Sequence, residues 1–215
     1  MLINLGQRLE NLRTLVGFLK AARAESLDRV IAIADSLNKT EIAAQSRRWM
    51  LSHPAVAQLA AENYAPARPA LEALNQLPTG TLGQAYASLL LGQNLSPDDL
   101  QPAKPATNAD EYIVERLRVT HDIAHVITGF GTDPASELGL QAFNLRQNRT
   151  PLAVLLIAGG LLKTIKEGRD PAPILRQVAR GIELADKAEL LVAQRWEDHW
   201  DWPLEQWRQV LNLPV

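Results

Sequence analysis

Two of the four histidines in this 215-residue chain stand four residues apart, in Thr120-His121-Asp122-Ile123-Ala124-His125. On a helix that spacing sets both imidazoles on one face, one turn apart. Helices that bind zinc through two histidines present them in this way. Acids flank the pair: Asp122 directly follows the first histidine, and Glu137 follows the second after eleven intervening residues. Two imidazoles with one or two carboxylates complete a ligand set for zinc or iron. The same spacing also serves a structural histidine pair, and Glu137, in the first turn of the next helix, would interact favourably with that helix's dipole in any case.

Composition narrows the chemistry. The chain has no cysteine, which excludes disulfides, thiolate nucleophiles and cysteine-ligated zinc. Any metal must be held by His, Asp and Glu. The formal net charge is −2, with no basic excess to suggest nucleic acid as a partner. The opening Met1-Leu2-Ile3-Asn4-Leu5-Gly6 has neither a basic leader nor a compact apolar core of the secretory kind. The longest apolar run, Pro151 to Leu162, is about twelve residues, short of the ~20 that span a bilayer. These features predict a cytoplasmic protein, soluble or peripherally associated with the inner face of a membrane.

The elements that must position the candidate ligands read as helices throughout, with no two-residue alternation of the strand type. The expectation is an all-α single domain over residues 1–215, a bundle of long and short helices. Leu2, Leu5, Leu9, Leu12, Val16 and Leu19 form one amphipathic stripe, a core face or the seam of a homodimer. Further helices are predicted from about Ser26 to Leu37 and from Thr40 to Leu51. Pro54, Pro66 and Pro69 break the next stretch into short pieces, and a turn at Leu77 to Gly83 leads into a helix bearing Tyr86, Leu89 and Leu90. The central helix is predicted from Asn108 or Asp110 through both histidines to Gly129. Asp133-Pro134 reads as an N-cap followed by a first helical residue, which places Glu137 in a first turn. Pro151 opens a helix apolar all round, a buried core helix or the wall of an apolar ligand tunnel. Pro171 starts a long helix to about Arg195. Trp196, Trp200, Trp202 and Trp207 either seal the core or anchor the protein at a membrane interface.

From His121 to Glu137 the chain follows the pattern HDxxH-x11-E and resembles the ubiquinone (coenzyme Q) biosynthesis protein 4 family. The likeness extends to Tyr112, Arg116 and Arg118 before the motif, and to Gly129, Thr132, Phe143, Gln147 and Pro151 after it. Leu77-Pro78-x-Gly80-x-Leu82-Gly83-x-x-Tyr86 and Ser96-Pro97-Asp98 resemble the family's upstream turn, and Arg195-Trp196-Glu197 its C-terminal signature. The match runs from about Leu77 to Leu213. Ile33-Ala34-Asp35 departs from the family's usual Leu-Gly-Glu, and the opening residues are not expected to form an organellar presequence.

The resemblance implies an all-helical fold with an apolar, lipid-accommodating core and a divalent metal, usually zinc, held by His121, Asp122, His125 and Glu137. It also implies a role in prenylated quinone synthesis, organising other quinone-biosynthesis enzymes or acting at the ring carbon that bears the carboxylate. Replacing a ring carboxylate by hydroxyl is an oxidative decarboxylation, which suits ferrous iron in a two-His-one-carboxylate site; two imidazoles argue against magnesium. Arg116 and Arg118 would meet an anionic head group. Leu152, Leu155, Leu156, Ile157 and Tyr86 would hold a polyprenyl tail or another isoprenoid lipid. Competing readings are a non-catalytic isoprenoid-binding scaffold with a structural metal, and an HD-type phosphohydrolase, in which His53 would have to supply the earlier lone histidine.

Overall fold

The computed structural model describes residues 27–97 and 105–214. The stripe from Leu2 to Leu19, and with it the expected dimer seam, lies outside the described residues. Eleven α-helices and two 3-10 turns make up the described chain, with no strand among the described residues. They are α1 (Leu27–Asn38), α2 (Glu41–Leu51), α3 (Pro54–Ala61), α4 (Leu71–Asn75), α5 (Leu82–Gly92), α6 (Ala109–Val119), α7 (His121–Thr128), α8 (Pro134–Asn148), α9 (Pro151–Lys166), α10 (Ala172–Lys187) and α11 (Leu204–Val210). The all-α, single-domain expectation therefore holds.

Local chemistry sets most boundaries. Thr40, Thr81 and Asn108 each accept a hydrogen bond from a backbone N–H in the first turn of α2, α5 and α6. Proline opens α3, α8 and α9, where its missing N–H would have had no helical partner. The first N–H groups of α5 are tied to the far end of the chain: Leu82 donates to the Trp202 carbonyl at 2.9 Å and Gly83 to that of Trp200 at 2.8 Å.

Two helices differ from expectation. The central helix is interrupted at Thr120, whose hydroxyl donates to the Arg116 carbonyl at 2.7 Å, so α6 and α7 are separate elements. Side-chain bonding of this kind bends helices. The helix begun at Pro171 stops at Lys187 rather than near Arg195, because Ala188 turns extended. Gln147, buried on α8, then stands in for the lost helical bonds: its amide donates to the Ala188 carbonyl at 3.0 Å and accepts from Leu191 N at 3.1 Å.

The main core gathers Tyr86 of α5, Ile123 and Ile127 of α7, Phe143 of α8 and the C-terminal tryptophans. Trp196, Trp200 and Trp207 are 0%, 7% and 3% exposed, so the cluster seals the core and is not turned outward as a set of membrane anchors. Trp202 is partly buried and stacks on His199 at 3.9 Å. The apolar helix α9 also departs from its sequence reading. It is not buried all round, since Val154, Leu162 and Ile165 stand exposed. Helices α8 and α10 pack along more of their length than the other helix pairs described, and Gly181 lies where an added Cβ would collide with the Gly139 carbonyl. That close pairing fixes α8, and hence Glu137, in the molecule.

Candidate metal centre

His121 is the first residue of α7 and His125 lies one turn on. The helix ends at Gly129, whose φ of 69° is the left-handed conformation that favours glycine, and its N–H caps the His125 carbonyl at 2.9 Å. The chain then turns back through Phe130 to Asp133. The Asp133 carboxylate caps α8, accepting from Ala135 N and Ser136 N at 3.1 Å each. This tight return carries Glu137, in the first turn of α8, to His125.

The three side chains converge. His125 Nε2 lies 3.1 Å from Glu137 Oε2 and 3.3 Å from His121 Nε2, and the imidazoles meet edge to face at 4.8 Å. One ligand atom from each of the three falls within 4.8 Å of the others. His125 is 4% exposed, and its Nδ1 donates to the Phe130 carbonyl at 3.0 Å. A carbonyl can only accept, so the Nδ1 proton is fixed and Nε2 is left as the ligand nitrogen, as is usual for metal-bound histidine. Gln141, one turn after Glu137, donates to Glu137 Oε1 at 2.8 Å and leaves Oε2 for His125.

Charge follows from this packing. Burial opposes a charge on His125, yet the Glu137 hydrogen bond and carboxylate, the Phe130 carbonyl and Asp122 outweigh it and raise its pKa. Burial likewise favours neutral Glu137, but the His125 hydrogen bond and the charges of His121 and His125 hold it down at about 2. A neutral His125 would aim a lone pair at a carboxylate oxygen 3.1 Å away. The arrangement therefore calls for a positive centre among the three groups, either a proton or a metal ion. Two imidazole nitrogens and a carboxylate oxygen are the donor types that zinc and ferrous iron prefer.

These groups stand beside a cavity of about 490 Å³, lined by His121, Glu137 and Gln141 near the cluster and by Leu117, Leu152 and Leu156 on its apolar side. The predicted residues divide around it. Asp122 is not one of the three convergent groups and acts on His125 only through its charge. Arg118 lines the cavity and pairs with Asp35 of α1. Arg116 does not reach it: it is 2% exposed, pairs with Glu197 at 2.5 Å, donates to the Gln194 carbonyl and lines a separate cavity of about 190 Å³. Residues two apart on a helix point to different sides, so the two arginines cannot grip one head group. Of the tail residues, Leu152 and Leu156 line the cavity and Leu155 packs behind it with Ile33 and Leu37. Ile157 is not among the lining residues, and Tyr86 is in the main core 5.3 Å from Trp200. Sequence reasoning missed Gln141, Asn144 and Asn148, which line the cavity on the same stripe of α8 as Glu137. Their spacing of four, seven and eleven residues from Glu137 was the available signal.

Among the described residues, helices gather two histidines and a carboxylate beside a largely apolar cavity, which defines a helical protein with a candidate metal centre. Comparison with known proteins makes the class particular: residues 7–215 match the family described as Coenzyme Q (ubiquinone) biosynthesis protein Coq4, and the chain belongs to that family. The match reaches well upstream of Leu77, where the sequence resemblance was expected to begin. The Caenorhabditis elegans ubiquinone biosynthesis protein coq-4, mitochondrial, is 30% identical over 141 residues, 65% of this chain and 61% of that protein. The Bos taurus COQ4 homolog, mitochondrial, is 26% identical over 141 residues, 65% of this chain and 53% of that protein. The chain thus matches little more than half the length of these relatives. The crystal structure of a Nostoc punctiforme protein, described there as of ubiquinone biosynthesis, superposes with a TM-score of 0.85 at 29% identity, over 95% of this chain and 97% of that one. No helix among the described residues is long and apolar enough to cross a membrane. The phosphohydrolase reading lapses with the family, and His53 packs edge-on against Trp49 outside the convergent group.

Proposed function

We propose that the protein serves ubiquinone-type quinone synthesis by holding a prenylated hydroxybenzoate with its ring carboxylate at a divalent metal bound by His121, His125 and Glu137, with Asp122 adjacent. The observation that carries this reading is the convergence of those three ligand atoms beside a largely apolar cavity. Zinc is the leading metal; ferrous iron is the alternative. When bound, zinc would polarise a ligand oxygen, whereas iron would suit oxidative chemistry. Phe130 fixes the His125 tautomer, Gln141 orients Glu137, and Arg118 stands in the cavity wall as an ion pair with Asp35. Leu152 and Leu156 receive the first part of the prenyl tail and exclude water from the ring. Replacing the ring carboxylate by hydroxyl releases carbon dioxide and two electrons, so the role at that carbon requires dioxygen or another two-electron acceptor, with the hydroxyl oxygen drawn from dioxygen or water. A scaffold that only presents the prenylated lipid to other quinone-biosynthesis enzymes uses the same pocket.

The test is elemental analysis of wild type and His125→Ala, with turnover of a short-tailed prenyl-hydroxybenzoate by the loaded protein. One metal per chain, lost in the variant, supports the site. Unchanged metal content in His125→Ala overturns it. A loaded protein that binds this lipid without turning it over assigns the scaffolding role.

A further inference from the structure

The helix that carries both histidines is short, and most of what holds its far end comes from other helices. An eight-residue helix is marginal by itself, and its last carbonyls find no partner within it. In α7 each of those four carbonyls is matched. That of His125 takes the Gly129 N–H at 2.9 Å. The other three take guanidinium groups. Arg208 of α11 donates from Nε to the Ile127 carbonyl at 3.0 Å and from a terminal nitrogen to that of Val126 at 3.3 Å, and Arg180 of α10 donates to that of Thr128 at 3.0 Å. Cations at a helix C-terminus also complement its dipole. Arg180 reaches the turn beyond as well. Its guanidinium lies 4.3 Å from the centre of the Phe130 ring, a cation on an aromatic face. That ring is 3% exposed and rests against α8 at Gly139, where an added Cβ would meet it at 2.5 Å. Phe130 is the residue whose carbonyl holds His125 Nδ1 at 3.0 Å.

From this we infer that Arg180 is a positioning residue for the metal centre, acting on His125 through Phe130, with Arg208 holding the helix end beside it. The inference rests on the proposed metal at His121, His125 and Glu137. Arg180 joins the Thr128 carbonyl to the Phe130 ring and so clasps the chain on either side of Gly129. That turn aims the Phe130 carbonyl back at His125. While the carbonyl is in place, Nδ1 keeps its proton and Nε2 faces His121 and Glu137 as a ligand. Once it is displaced, the strongest acceptor left beside the ring is the Glu137 carboxylate, 3.1 Å from Nε2. The proton of a neutral His125 then moves to Nε2, and the metal loses that nitrogen. Arg180 thereby selects the tautomer of a ligand it does not touch.

Cobalt alone is the metal probe. Wild type, Arg180→Met, Arg180→Lys and Phe130→Leu are titrated with cobalt and read by its absorption band. In the metal-free proteins the His125 Nδ1 proton is followed by NMR, assigned by its absence from His125→Ala. Arg180→Met should bind cobalt about tenfold more weakly, the low end for a lost outer-shell partner. Its cobalt band should change, and its His125 Nδ1 proton should exchange faster with solvent. Arg180→Lys, which keeps the cation, should recover part of both. Phe130→Leu, which keeps the carbonyl and removes the ring, should behave as Arg180→Met does, and the two together should cost little more than either. Arg116→Ala is the control for stability alone: cobalt affinity and the His125 proton should both stay as in wild type. Wild-type cobalt affinity together with a wild-type Nδ1 proton in Arg180→Met overturns the role. Weaker cobalt binding with an unchanged Nδ1 proton also overturns it and leaves Arg180 a structural cap. If the wild type takes up no cobalt, the metal reading fails and the proton alone decides: faster exchange in Arg180→Met upholds the positioning of His125, and equal exchange overturns it.

Discussion

At the scale of residues, two clusters that adjoin in sequence have separated roles. Arg116 and Glu197 are 2% and 9% exposed at their side chains and form a buried pair 2.5 Å apart. Removing one partner of such a pair strands the other charge and typically costs about 3–5 kcal/mol. Arg116→Ala is therefore expected to lower unfolding free energy by about that much while metal content stays at the wild-type level; a drop in metal with unchanged stability would contradict this placement. The proposed metal ligands predict a pH dependence for the metal-free protein. Glu137 is depressed, so its contribution is full above the unfolded carboxylate value of ~4.3 and fades as pH falls toward about 2. His125 is raised, so its contribution is full below the unfolded imidazole value of ~6.5 and is lost as pH rises through its folded value. Both are complete between ~4.3 and ~6.5, and Glu137→Gln should lower thermal stability most in that window. A uniform loss across pH would show that the pair is not the cause. The histidine pair was legible because its chemistry is local, a matter of four residues on one helix. The fate of Arg116 was not, because Glu197 is 81 residues away and only the fold brings them together.

At the scale of elements, the caps and prolines that mark helix starts were readable because they act through neighbouring backbone groups, and Thr40, Asp133 and Pro151 all behave as their types require. Helix ends set by tertiary substitution were not, as the early stop at Lys187 with Gln147 stepping in shows. Nor was it readable that α9 would show an apolar face, since an apolar stretch carries no mark of which side is covered. The pairing of α8 with α10 depends on the glycine at 181 in the middle of a helix. Glycine there is less favourable than alanine by about 0.5–1 kcal/mol in backbone terms. At this site an alanine Cβ would meet the Gly139 carbonyl and lie 3.0 Å from Phe143 N, both backbone atoms that cannot swing aside. Gly181→Ala should therefore destabilise by about 1–3 kcal/mol, as overpacking does. Because α8 carries Glu137, metal affinity should fall with it. Denaturant unfolding and metal titration on one sample check both, and a stabilised variant would contradict the packing described.

At the scale of the whole molecule, the proposed role raises how a protein with no membrane-crossing helix among the described residues would meet the proposed polyprenyl ligand. Three of the four C-terminal tryptophans are occupied in the core. The exposed apolar side chains lie elsewhere. Val154, Leu162 and Ile165 follow one another at helical spacing on α9, with exposures of 49%, 51% and 63%, and Lys163 and Lys166 stand in its last turn. The same helix supplies Leu152 and Leu156 to the cavity wall. One element thus joins the proposed tail site to an outward apolar row with Lys166 beside it, a combination suited to the surface of an anionic bilayer. We expect the protein to float with vesicles containing anionic lipid, and to float less as salt is raised. Leu162→Asp combined with Ile165→Asp should abolish flotation without loss of metal, since neither residue lines the cavity. Trp202→Ala should leave flotation intact. Wild-type protein that stays in the aqueous fraction with every lipid composition, or a Trp202→Ala variant that alone loses binding, would refute the assignment of this face.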